Sequence, residues 1–247
     1  MSALRYVYAI CRPFSAALSA ELTGVGGIPP RLLRHGDLVA VVGSVPEREF
    51  AAEPLRRRLE DVHWLEATAR AHQSVIDALT AVTSPLPLRL ATVLRDDSGV
   101  RVMMDERRED FLRTLDRLDG RVEWDVKVYT GPTGDSGEPG TFGNSADEFT
   151  RRLHDTLSEC AEENRMLPPR NRRSARKTSP GEEGEKIFDA AYLVPRADSG
   201  EFVERVNGKA GEESGVRVEL TGPWAAYSFT RSTGLTGFSG LTSCTDC

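Results

Sequence analysis

Glu123, Asp125 and Lys127 recur at alternate positions of the run Glu123-Trp-Asp-Val-Lys-Val-Tyr129. In an extended strand, alternate side chains share a face and stand about 6 to 7 Å apart. Two carboxylates and an ammonium at that spacing could act as acid, base and electrostatic anchor. Cross-strand charge pairing accounts for the same three residues and needs no substrate. No Ser–His–Asp or Cys–His order accompanies them, so hydrolytic chemistry has little support.

His63 and His72 lie too far apart on one helix-like run to share a metal without outside ligands. His72 falls between Ala69 and Ile76 on an apolar stripe. A histidine there is expected in the core, its ring nitrogen satisfied by Arg89, Thr92 or a backbone carbonyl. Arg89 sits in an otherwise apolar, strand-like run, where a buried guanidinium needs a carboxylate or carbonyls. Glu123 or Asp61 could supply it. Cys244-x-x-Cys247 has metal or redox spacing, yet no second ligand pair is near; a tail with free thiols is expected. Cys11 and Cys160 read as reduced packing residues in a strand and a helix.

Two glycine-rich stretches fail as phosphate cradles. Gly131 to Gly143 lacks the Gly-Lys-Ser/Thr ending, and Gly24-Val-Gly26 lacks a third glycine. The basic run from Arg165 to Lys177 has no interleaved aromatics and is followed at once by Glu182, Glu183 and Glu185. That pattern suits a solvated linker better than a nucleic-acid surface. Trp224 is expected to pack back over the core, and Tyr227 and Phe229 either to pack or to anchor a partner.

The elements that position these residues follow from periodicity. Leu4 to Cys11 and Asp37 to Val42 read as buried strands. Pro54 to about Val82 reads as one helix, with Leu55, Leu59, Val62, Leu65, Ala69, Ile76 and Leu79 on its apolar face. Leu88 to Leu94 reads as a strand, with Pro85 and Pro87 at its start or on an edge. A helix is predicted from Gly99 to Leu118, with Val102, Phe111, Leu112, Leu115 and Leu118 apolar, and Gly120 as its stop. After the strand of Val122 to Tyr129 come a helix to about Met166, a strand Lys186 to Pro195, a helix Gly200 to Ala210 and a strand Val216 to Thr221.

With 247 residues, 39% of them hydrophobic and 28% charged, the chain can bury a core without staples. A net charge of −6 argues against broad phosphate-backbone binding. No apolar run reaches membrane-spanning length, and the start lacks the order of a signal peptide, so a cytoplasmic protein is expected. The predicted class is α+β in two domains. Residues 1–120 form an N-terminal α+β unit. Residues 121–229 form a ferredoxin-like unit with flexible inserts at 131–145 and 167–185, and 230–247 is a disordered tail.

Four blocks, taken in order, carry a family resemblance. They are Asp61-Val-His-Trp-Leu65 continuing to His72, Pro85 to Thr92, Glu123 to Tyr129, and Glu219-Leu-Thr-Gly-Pro-Trp224 leading to Tyr227 and Phe229. Together they resemble the gas vesicle proteins of the GvpF/GvpL type, from about Leu4 to Phe229. His72, Pro87, Arg89, Thr92, Glu123, Trp124, Lys127, Leu220 to Trp224, Tyr227 and Phe229 match the pattern. Leu90-Ala91 stands where the family has Phe-Gly, Asp125 where a glycine is expected, and Ala225 where a proline is usual.

The resemblance implies two domains, the second a modified ferredoxin-like unit, and neither catalysis nor a cofactor. It implies a cytoplasmic protein of the gas vesicle. The implied partners are the small hydrophobic shell protein (GvpA-like) and other gas vesicle accessory proteins, not nucleic acid or a lipid membrane. His72, Arg89, Glu123, Trp124, Lys127, Trp224, Tyr227 and Phe229 are then structural or partner-binding candidates. The alternative from another class is a small-molecule-binding or catalytic α/β protein using Glu123, Asp125, Lys127 and His72. A nucleic-acid regulator using the basic run is a third.

Overall fold

The computed structural model describes residues 3–19, 21–130, 141–167, 185–210 and 215–230. Most of the glycine-rich loop, the basic and acidic linker and the Cys244/Cys247 tail lie outside them. The chain is α+β and divides into two compact units. One comprises residues up to 119 and again from 229; the other runs from 120 to 228.

The first unit is built on an antiparallel sheet of β1 (Ala3–Cys11), β2 (Arg31–His35), β3 (Leu38–Pro46), β4 (Leu86–Pro87) and β5 (Val93–Leu94). The strand order is β2-β3-β1-β4, and β5 also pairs with β1. From Tyr6 to Cys11, β1 is fully buried, which explains its unbroken apolar run. Nothing in the chain's periodicity announces β2, whose Arg31-Leu-Leu-Arg-His35 shows little alternation; pairing with β3 makes it a strand.

The expected long helix is three. They are α1 (Glu47–Phe50), α2 (Ala52–Arg58) and α3 (Val62–Thr80). The break has a local cause. The Asp61 side chain accepts from the backbone N–H groups of His63 and Trp64 at 3.0 and 3.2 Å, the geometry of an N-cap. Leu59 and Val62 therefore leave the apolar stripe and stand 41% and 61% exposed. Val75, Ile76 and Leu79 stay buried.

The second expected helix is also divided, into α4 (Asp97–Glu106) and α5 (Arg108–Leu118), at Arg107. Val100, Met103 and Met104 take the buried positions of α4, and Val102 is exposed. The strand expected from Leu88 to Leu94 is interrupted. Residues 89–92 form a turn, closed by the Thr92 N–H donating to the Arg89 carbonyl at 3.1 Å and with Ala91 at φ +63°, so Arg89 lies in a turn and is exposed, and the Thr92 carbonyl rejoins β1 by accepting from the Val7 N–H at 2.8 Å. Pro87 sits on the edge strand β4, where its missing N–H costs no ladder bond.

The second unit runs β6 (Arg121–Thr130), α6 (Thr141–Ser158), β7 (Glu163–Met166), β8 (Lys186–Pro195), α7 (Ser199–Lys209) and β9 (Val216–Trp224). The sheet order is β7-β8-β6-β9, antiparallel throughout. Val122, Trp124, Val126 and Val128 of β6 pack with Phe149, Leu153 and Leu157 of α6 and with Phe202 and Val206 of α7. The helix expected to reach Met166 ends at Ser158. Glu163–Met166 is instead a strand, held by its register with Leu193 to Ala190 of β8. Cys160 lies in the turn between them, its thiol donating to the Thr156 carbonyl.

Candidate functional site

The face of β6 away from its helices carries the residues that could do chemistry. Glu123, Asp125 and Lys127 stand in register with Leu193, Ala191 and Asp189 of β8. On the other side, Glu123, Asp125, Lys127 and Tyr129 face Trp224, Thr221, Glu219 and Arg217 of β9. Glu123 is buried, 4% exposed. Its carboxylate accepts from the backbone N–H of Ser228 at 2.8 Å and from the Ser228 hydroxyl at 2.6 Å.

Burial pushes the Glu123 carboxyl up to about 7, against the pull of the two Ser228 donors. The neighbouring Asp125 carboxyl, which hydrogen-bonds to it, pushes the same way. Two adjoining carboxyls in a buried place favour sharing one proton over carrying two charges. The two Ser228 donors favour the ionised form of Glu123 and offset part of that rise. Glu123 thus works as a clasp on the segment 225–228, in which Ala225 and Ala226 are each 3% exposed.

Lys127 belongs to a separate ionic row. Its ammonium lies 3.5 Å from Glu219, which also meets Arg217 at 3.2 Å. The Arg217 guanidinium caps the Tyr129 ring at 4.2 Å, and Lys186 pairs with Asp189 at 2.5 Å. The partly exposed pairs of Glu219 each contribute little to stability; with the buried Asp189 they order the sheet face. Among the described residues, no three or more His, Cys, Asp or Glu side chains are grouped to hold a metal.

The aromatic candidates change places. Trp124 is buried, stacks on Phe202 and donates to the Ser199 hydroxyl at 3.3 Å. Gly222 permits this: a Cβ there would meet Trp124 Cε3 at 2.8 Å and the Glu123 carbonyl at 2.9 Å. Trp224, expected to pack, is 36% exposed at the end of β9. Tyr227 is half-buried. Phe229 is fully buried, and its carbonyl accepts from the Arg117 guanidinium.

His72 lies in the first unit and Glu123 in the second. His72 is 3% exposed, and its Nδ1 is hydrogen-bonded to the Tyr6 hydroxyl at 3.0 Å. The partner is thus Tyr6, not the expected Arg89, Thr92 or carbonyl. The same hydroxyl accepts from the Ala91 N–H at 3.1 Å, and the Tyr8 hydroxyl accepts from the Val25 N–H at 2.7 Å. Two buried tyrosines therefore pin two loops to the core. Burial lowers the His72 pKa to about 4, so the ring is neutral at physiological pH.

The carboxylates offered to Arg89 are engaged elsewhere. Asp61 caps α3 and Glu123 holds Ser228. Sequence reasoning missed Ser228, Tyr6 and Tyr8. The tyrosines carried a signal, since hydroxyls in an otherwise apolar strand need partners. Ser228 carried none. Apolar side chains are exposed elsewhere in the first unit at Leu59 and Val62, beside Arg56 and Arg57. Among the described residues, no helix is long and apolar enough to cross a membrane.

Comparison with known proteins agrees with this architecture. The family model of the gas vesicle synthesis protein GvpL/GvpF matches residues 4–136 and 141–231. The chain is 50% identical to gas vesicle protein L of Streptomyces sp. (strain CB03234) over 252 residues, covering 92% of each chain. It is 35% identical over 125 residues to gas vesicle protein F of the same organism, covering 50% of this chain and 47% of that one.

In fold it is similar to the crystal structure of GvpF from Anabaena sp. PCC7120. The TM-score is 0.70 at 16% identity, over 94% of this chain and 98% of the other. For GvpF from Microcystis aeruginosa the TM-score is 0.67 at 16% identity, over 93% and 99%. On its sequence, the chain belongs to the GvpL/GvpF family of gas vesicle synthesis proteins and takes part in gas vesicle formation.

Proposed function

We propose that this protein is a non-catalytic assembly component that binds the small hydrophobic shell protein (GvpA-like) of the gas vesicle in the cytoplasm. It acts together with other gas vesicle accessory proteins. A shell subunit that will later face gas is prone to aggregate before assembly. A partner that covers part of its apolar surface and then releases it limits that loss. Two domains share the work. The second is ferredoxin-like, a reading supported by its β-α-β-β-α-β order and the strand order β7-β8-β6-β9.

The first domain carries the binding surface. The supporting observation is the corner between α2 and α3, where Leu59 and Val62 are turned out to solvent at 41% and 61%. The buried ionisable groups support a non-catalytic role. Glu123 is spent on Ser228, and His72 on Tyr6.

The test is co-purification of the full chain with the shell protein. Leu59→Asp with Val62→Asp is expected to lower recovery about tenfold or more, for two apolar anchors lost, with the folded state unchanged by circular dichroism. Equal recovery of variant and parent, or turnover of a metabolite by the purified protein, would overturn the proposal.

A further inference from the structure

β9 is an outer strand of its sheet. Among the described residues it pairs with β6 on one side and with no strand on the other. It is nine residues long, beyond the usual strand length of about five or six. An open edge presents a row of N–H and C=O groups ready to pair with another chain. Two common blunting devices are missing where they would matter. Proline enters only at Pro223, and the irregularity in pairing lies opposite the end of the strand, between Glu123 and Asp125.

The side chains along this edge alternate. Val216, Val218 and Leu220 lie on the helix side and are only partly buried, whereas Val122, Val126 and Val128 of the neighbouring β6 are 0% exposed. Arg217 and Glu219 lie on the other face, 52% and 34% exposed. A further strand beside β9 would finish burying the apolar three.

We propose that β9 pairs antiparallel with β9 of a second copy of this chain, centred on Val218. The two four-stranded sheets then become one. Charge selects that occupant and that register. Centred on Val218, a two-fold pairing sets Arg217 opposite the partner's Glu219 and Glu219 opposite the partner's Arg217. On the other face Val216 meets the partner's Leu220, and Val218 meets the partner's Val218.

Centring on Arg217 or Glu219 would put like charges face to face, which is destabilising. Centring on Leu220 would set Arg217 opposite Pro223 and Val218 opposite Gly222, losing both charge pairs. A two-fold axis needs one self-complementary patch, and this strand is one. The pairing uses the second domain and is independent of shell-protein binding through the first.

The test uses the full chain in sedimentation and light scattering across a concentration series. The parent is expected to dimerise reversibly. Arg217→Glu sets carboxylates opposite each other twice and is expected to weaken the dimer about tenfold or more. Adding Glu219→Arg exchanges the charges, restores opposite signs across the axis and is expected to recover the dimer.

Val218→Cys guards against variants that fail to fold. Directly opposed residues of an antiparallel pair have Cα atoms about 4.5 to 5.5 Å apart, within disulfide reach. Mild oxidation is expected to link the residue-218 peptide to itself, as read by mass spectrometry. A parent that stays monomeric, a dimer indifferent to Arg217→Glu, or a dimer without the 218–218 link would each overturn the proposal.

Discussion

Ser228 gives both of its donors to one carboxylate, its N–H to Glu123 Oε2 at 2.8 Å and its hydroxyl to Oε1 at 2.6 Å. The carboxylate is buried beside Asp125 and titrates near 7, far above an exposed glutamate. The folded state therefore holds this proton more tightly than the unfolded chain. The resulting stabilisation is complete below about 4.5 and is lost as pH rises through about 7. The loss is about 3 kcal/mol at full span. Chemical denaturation at about pH 5 and about pH 8 should show the fall, and Glu123→Gln or Asp125→Asn should flatten it. A slope unchanged in both variants would refute the shared-proton arrangement. Ser228→Ala is expected to cost about 1.5 to 3 kcal/mol, the range for a hydrogen bond to a charged group.

His72 acts with the opposite sign. Its pKa is lowered from 6.5 to about 4 by burial. The neutral ring is the folded form, so its contribution is present above about 6.5 and is lost as pH falls through about 4. The span is again about 3 kcal/mol. His72→Phe should remove this acid-side slope. Tyr6→Phe leaves the Ala91 N–H and the His72 ring without their hydroxyl and is expected to cost about 1 to 3 kcal/mol. Thermal unfolding across an acid-to-neutral series separates the two effects.

Ala91 holds a left-handed conformation, φ +63°. An L-residue with a Cβ costs roughly 1 to 2 kcal/mol there. Ala91→Gly should therefore raise stability, by about 0.5 to 1 kcal/mol after glycine's larger unfolded-state entropy is counted. A fall in the denaturation midpoint would show that the Ala91 side chain contributes packing that outweighs the strain.

Much of the architecture is legible along the chain because burial writes it locally. β1 and β3 are unbroken apolar runs since neither face meets water. β6 alternates, and β8 begins at Lys186 and ends at Pro195 as its composition predicts. The errors cluster where a side chain elsewhere overrules the local period. Asp61 cuts the long helix by capping it, and the Tyr6 hydroxyl draws Ala91 out of the strand. β7 is four residues of no strand character, supported by the ladder of β8.

By itself the sequence determined the α+β class, the buried strands, the core position of His72 and membership of the GvpL/GvpF family, for each follows from residue type and short-range spacing. Only the tertiary structure decided the partners of the polar groups. Ser228 reaches Glu123 across 105 positions and Tyr6 reaches His72 across 66. Hydrogen bonds of that span leave no periodic trace in a chain, because they are chosen by which buried donor and acceptor the completed packing brings within 3 Å.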